Sequence, residues 1–164
     1  MPKRDLYISA AQELGRVIAN AGLELVYGGG RTGLMGVVAD AALEAGARVT
    51  GVTLPELMAR EMAHTGIHDL RTVDTLARRK EMMFDLSDAF IALPGGYGTL
   101  DELLEAVTMA QLNFHQKPVG LLEVNHFFEG LIEWLDNAVL EGFVKPQNRG
   151  LLTWTRTRPG YSRS

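Results

Sequence analysis

The chain has 164 residues, 46% hydrophobic and 22% charged, which suits one globular domain with a sizeable core. A formal net charge of −4 offers no basic excess for a nucleic-acid surface, and the absence of cysteine removes disulfides and thiolate chemistry. Four histidines without ligand spacing give no reason to expect a metal, no cofactor is expected, and no segment is long and apolar enough to span a bilayer. The prediction is a cytoplasmic protein without nucleic-acid or membrane partners.

In chain order, residues 5–20 place Leu6, Ala10, Leu14, Val17 and Ile18 at helical spacing, with Gly22 as terminator. LELVY reads as a short strand. GGGRTG then leads into a helix over 34–44, ended by Gly46, and RVTGVTL is a second strand. A helix is predicted around 56–63, a short strand in RTVD, a helix over 76–86, and a buried strand in AFIAL that runs into LPGGYGTLDELLE. A helix from about 101 to 113 follows, then the strand VGLLEV, a helix over 127–141 and a last strand in LLTWT. Residues 156–164 are expected to be a flexible tail, leaving residues 1–155 as a single nucleotide-binding domain. The alternation predicts an α/β fold of Rossmann-like type, a doubly wound, mostly parallel sheet with helices on both faces.

Ligands of such sheets bind beyond the carboxyl ends of the strands, where both glycine clusters fall. Gly28, Gly30 and Gly33 match the spacing of a dinucleotide fingerprint. The next strand, however, ends in Thr53 and Leu54 where an acidic ribose ligand is needed, so a dinucleotide is not expected; tight strand-to-helix packing explains the glycines at least as well. In PGGYGT, Pro94 stops the strand, while Gly95, Gly96 and Gly98 clear side chains away from backbone N–H groups at the positive end of the next helix. No Gly-Lys-Ser/Thr follows, so a monophosphate is the expected anion. Thr99 to Glu102 reads equally as a capping box, with Thr99 as N-cap, or as a carboxylate carried to a bound phosphate; the motif alone leaves both open.

LARRKEMMFDL supplies cations. On a helix over 76–86, Leu76, Met82, Met83 and Leu86 form an apolar stripe, and Arg79 falls within it while Arg78, Glu81 and Asp85 face solvent. A guanidinium on a buried face costs several kcal/mol, roughly, without an anionic partner, so a carboxylate or a phosphate is expected against Arg79.

Pro94 to Glu102 and the Arg79-Lys80 pair, with YGGGRTGLMG, SDAFIALPGG and KPVGLLEV, resemble segments of the Lonely Guy (LOG) family of cytokinin riboside 5′-monophosphate phosphoribohydrolases, often mislabelled lysine decarboxylases. The resemblance implies hydrolysis of the N-glycosidic bond of an adenosine 5′-monophosphate-type nucleotide to free base and ribose 5-phosphate. It makes Arg79 and Glu102 the catalytic pair and Lys80, Gly95, Gly96, Tyr97, Gly98, Thr99, Glu61, Thr108, Gly29 and Gly30 the substrate contacts. It also implies at least a homodimer. A general nucleoside-monophosphate nucleosidase and a non-catalytic carrier of a nucleotide or pterin-type cofactor are the alternatives; Glu102 together with Arg79 favours an enzyme. Two departures stand out: Leu76-Ala77-Arg78 replaces the family's Met-His-Glu, and the family's first apolar strand is missing before residue 5, which leads us to expect further residues upstream.

Overall fold

The computed structural model describes residues 5–156, so the tail expected over 156–164 lies almost wholly outside the described residues. The chain divides between Ser87 and Asp88 into two compact units, each built on a three-stranded parallel sheet with helical connections. This is the α/β architecture that the alternation of strands and helices predicts.

In the first unit, α1 (Asp5–Asn20) precedes β1 (Leu25–Tyr27), α2 (Gly33–Glu44), β2 (Val49–Thr53), α3 (Pro55–Met58), β3 (Asp69–Thr72) and α4 (Leu76–Leu86). The sheet order is β1-β2-β3, with Leu25 beside Val49 and Thr50 beside Asp69. Every residue of β2 is buried, Thr50 and Thr53 included, as befits a central parallel strand covered on both faces. Tyr27, Ala39, Ala42, Ala47 and Val49 form a core on which Ile18, Leu25, Leu43 and Ile67 pack. Helices α1 and α2 approach so closely that a Cβ on Gly15 would stand 2.7 Å from Cβ of Ala41. Only a small-residue seam permits that spacing.

The second unit runs β4 (Phe90–Ala92), α5 (Tyr97–Gln111), β5 (Val119–Glu123), α6 (Glu129–Leu140), α7 (Pro146–Arg149) and β6 (Leu152–Arg156), with sheet order β4-β5-β6. Its core gathers Leu93, Leu103, Ala106, Val119, Leu121, Phe128 and Leu152. Buried Glu123 takes the backbone N–H of Phe128 on its carboxylate, which ties down the turn after β5. Asn125 and His126 in that turn adopt positive φ.

Several elements differ in extent from the sequence-based expectation. The helix expected around 56–63 is the single turn α3, because the chain leaves the helix for a loop in which Met62 has φ of 50°. Strand β3 begins at Asp69, two residues before RTVD, since its register is set by pairing with β2. The short helix α7, opened by Pro146 at its first turn, was not expected. Helix α5 begins at Tyr97, four residues early, with consequences for Thr99 described next.

Candidate active site

In the first unit the decisive side chain is Arg79. Thr75 starts α4 by accepting the N–H of Arg78 on its side-chain oxygen at 3.0 Å, and Arg79 follows one position on. Arg79 is 9% exposed and is the one buried residue of α4. The flanking stripe is a correction to expectation: Met82 and Met83 are partly buried, but Leu76 and Leu86 are exposed. The helix therefore seats itself around a cation.

That cation lies at the carboxyl end of the β1–β2 pair. Nε donates to the carbonyl of Val52 at 2.8 Å, and Nη2 donates to the carbonyl of Gly28 at 2.8 Å and to Oε2 of Glu61 at 3.2 Å. Two carbonyls and one carboxylate thus offset the desolvation of the guanidinium, and Glu61 is the anion that the sequence reading called for. None of the three bonds uses Nη1, so that edge of the fork is not committed to them.

The triple glycine wraps this arrangement. A Cβ on Gly28 would overlap Nη2 of Arg79, one on Gly29 would reach Leu70 at 2.9 Å, and one on Gly30 would reach the carbonyl of Glu61 at 3.1 Å. Gly29 also has φ of 81°. The close packing of this loop on the chain itself accounts for its glycines; Gly29 and Gly30 are buried. Lys80, next to Arg79 on α4, is partly buried.

In the second unit, buried Leu93 follows β4, and Pro94, Gly95 and Gly96 lead directly into α5. Gly96 is the N-cap, with no side-chain capping bond, and the first helical N–H to be satisfied along the helix is that of Leu100, which donates to the carbonyl of Gly96 at 3.2 Å. Thr99 therefore sits inside the first turn and is not the N-cap, so the capping box of Thr99 and Glu102 is corrected. The misreading came from treating Tyr97 and Gly98 as loop. A Cβ on Gly96 or Gly98 would meet open space, whereas one on Gly95 would overlap Thr99. Gly96 and Gly98 thus leave a clearing beside the first turn, at the positive end of a helix of 15 residues.

Glu102 lies one turn further along α5 on an exposed position, and Tyr97 is 95% exposed. Thr108 shares a cleft of about 520 Å³ with Tyr97, Leu104 and Glu105 along one face of the helix. The second unit accordingly gathers Gly95, Gly96, Tyr97, Gly98, Thr99, Glu102 and Thr108 on one loop and helix, while the first gathers Gly29, Gly30, Glu61, Arg79 and Lys80. The carbonyls of Gly28 and Val52 were not anticipated, because a backbone acceptor leaves no trace in residue type.

Comparisons with known proteins bear on the family and the fold. A family model described as possible lysine decarboxylase matches residues 35–160. The chain is 46% identical over 150 residues to the cytokinin riboside 5′-monophosphate phosphoribohydrolase LOG3 of Arabidopsis thaliana, covering 92% of this chain and 70% of that protein. It is 47% identical over 146 residues to the cytokinin riboside 5′-monophosphate phosphoribohydrolase LOG of Oryza sativa subsp. japonica, covering 89% of this chain and 60% of that protein. The chain thus spans 60% to 70% of the length of these two relatives. Among solved structures, the molybdenum cofactor binding protein from the phototrophic bacterium Rippkaea orientalis superposes with a TM-score of 0.65 at 25% identity, over 82% of this chain and 77% of that one. With most of its length matched by the family model and by relatives near half identity, the chain belongs to the possible lysine decarboxylase family, alongside the LOG phosphoribohydrolases.

Proposed function

We propose that the protein hydrolyses the N-glycosidic bond of cytokinin riboside 5′-monophosphates and related adenosine 5′-monophosphate-type nucleotides, releasing free base and ribose 5-phosphate. The activity in the names of its relatives supports this reading. The observation that carries it is Arg79, a buried guanidinium seated by two carbonyls and Glu61 in a chain that also presents the glycine-opened helix α5 with Glu102 in its second turn.

In the reaction the C1′–N9 bond breaks, the bonding pair leaves with the base, C1′ takes the oxygen of water, and the proton that water loses ends on the base. Positive charge builds on the ribose as the bond lengthens, and the carboxylate of Glu102 stabilises it or orients the incoming water. Arg79 supplies the positive charge that the phosphate or Glu102 requires. The first-turn amides of α5, freed by Gly96 and Gly98, are the proposed 5′-phosphate contacts, with Tyr97 and Thr99 in the same turn. Lys80, Gly95, Thr108, Gly29 and Gly30 complete the proposed contacts.

Chromatographic detection of adenine after incubation with adenosine 5′-monophosphate tests the reading, and a prenylated monophosphate run in parallel tests the cytokinin preference. Glu102→Ala and Arg79→Ala are each expected to abolish release; wild-type turnover in either would remove the assignment. Stoichiometric nucleotide binding without base release would favour a non-catalytic carrier instead; the Rippkaea orientalis protein is named for binding a cofactor.

The active form is at least a homodimer in this reading, supported by Leu112 and Phe114, 58% and 72% exposed at the end of α5. Light scattering that returned a monomer mass would contradict it. Among the described residues no helix is long and apolar enough to cross a membrane, and the cytoplasm is the proposed compartment.

A further inference from the structure

Glu61 is held by more than its contact with Arg79. The N–H of Arg31 donates to the carbonyls of Glu61 and Met62 at 3.1 and 3.0 Å, the N–H of His64 donates to the carbonyl of Gly29 at 2.8 Å, and Gly30 pairs with Ala63 in an isolated antiparallel bridge. The loop after β1 is thereby stitched to the segment 61–64 along their backbones.

Side chains lock the stitch. His64 is 8% exposed; its Nδ1 accepts the N–H of Gly66 at 3.0 Å, which places the ring proton on Nε2, and Nε2 donates to Asp40 of α2 at 2.6 Å. The hydroxyl of Tyr27 donates to the carbonyl of Gly30 at 2.9 Å from the other side. Met62, between Glu61 and the bridge, holds a positive φ that only a well-determined surrounding sustains. All of this fixes the backbone of a residue whose carboxylate then lands on Nη2.

We propose that Glu61 is a positioning residue: its carboxylate, presented by this clasp, sets the rotation of the Arg79 guanidinium, and it acts through Arg79 rather than by gripping the nucleotide. The inference deepens the proposed function and rests on it for its kinetic part. Val52 and Gly28 take the Nε–Nη2 edge of the fork, but both are neutral acceptors; Glu61, which shares Nη2 with Gly28, is the charged partner that these bonds include and adds the charge-assisted hold on that edge. The sign of the effect follows. Removing the negative charge leaves Arg79 a less neutralised and less fixed cation, so a phosphate binds as well or better while the catalytic geometry loosens. A direct substrate contact predicts the opposite, weaker binding.

Glu61→Gln, which keeps the shape, is therefore expected to lower kcat about tenfold or more with KM for adenosine 5′-monophosphate unchanged or reduced. In an Arg79→Lys background, which lacks the fork, the same change is expected to have no further effect. A third readout needs no turnover: the Nε–H proton NMR signal of Arg79, identified by its loss in Arg79→Lys, is expected to exchange faster with solvent in Glu61→Gln. A raised KM with intact kcat, an undiminished effect in the Arg79→Lys background, or an unchanged Nε–H exchange rate would each overturn the positioning role. If the wild-type protein releases no base at all, the proposed function fails, and the exchange rate alone still decides whether Glu61 holds Arg79.

Discussion

The carbonyl of Gly28 accepts from Nη2 of Arg79 at 2.8 Å, and a Cβ on Gly28 would overlap that same nitrogen. The glycine is required by close approach, since its φ does not lie in the left-handed region. Gly28→Ala must displace the guanidinium or shift β1, a form of overpacking that costs about 1–3 kcal/mol. Urea unfolding is expected to show this loss, and base release is expected to fall with it because Arg79 leaves Glu61.

Gly98 gives the contrasting case. It lies in the first turn of α5, where a Cβ would meet open space and φ is ordinary for a helix. Gly98→Ala is expected to be neutral or to stabilise the fold by up to about 1 kcal/mol, since alanine is the better helix former. If the clearing at this helix end receives the 5′-phosphate, the methyl obstructs it, and KM for adenosine 5′-monophosphate rises in a protein that unfolds no earlier. A variant with unchanged KM would place the phosphate elsewhere.

The strands and long helices were legible because their signals are local: the β-branched valines and threonines of β2 announce a strand, and the spacing of apolar residues in α1 announces an amphipathic helix. Arg79 was legible as an anomaly on its helix, and the demand for an anion was correct. The identity of that anion was less so, because Glu61 reaches Arg79 from a loop whose path depends on Met62 at positive φ and on a bridge to Gly30. Such a path is set by tertiary contacts and not by propensity. The start of α5 was missed for a different reason: glycine at the first helical turn reads as loop, yet here it costs little because the turn is anchored by the remainder of a long helix.

Moving the start of α5 changes what two threonines do. Thr75 accepts the N–H of Arg78 and caps α4, so Thr75→Ala is expected to cost about 1 kcal/mol. Thr99, inside α5 without a capping bond, is expected to cost under about 0.5 kcal/mol as Thr99→Ala, the lost methyl contacts being offset by better helix propensity. Parallel denaturation of the two variants checks the order. The kinetic order is expected to be reversed, with Thr99→Ala weakening nucleotide binding more than Thr75→Ala does. A loss of stability in Thr99→Ala as large as that in Thr75→Ala would restore the cap.

Tyr27 links the clasp around Glu61 to alkaline pH. Its hydroxyl is buried and bonded to the carbonyl of Gly30, and burial first, then the negative charge of Asp40, pushes its pKa well above the ordinary tyrosine value. In the unfolded chain the phenol ionises near its usual value, about 10. Above that pH the unfolded state has lost a proton that the folded state retains, so stability falls as pH rises, by at most about 1.4 kcal/mol per unit from this group. Below about pH 10 the contribution is fully present. Tyr27→Phe removes the titration together with a hydrogen bond worth about 1 kcal/mol. Urea unfolding between pH 8 and 11 is therefore expected to show the variant less stable by a constant amount at the lower end, with the two curves converging above about pH 10 as the wild type alone loses stability to this phenol. Curves that stay parallel throughout would mean that Tyr27 ionises alike in both states, and that the link from Gly30 to its hydroxyl does not survive in solution.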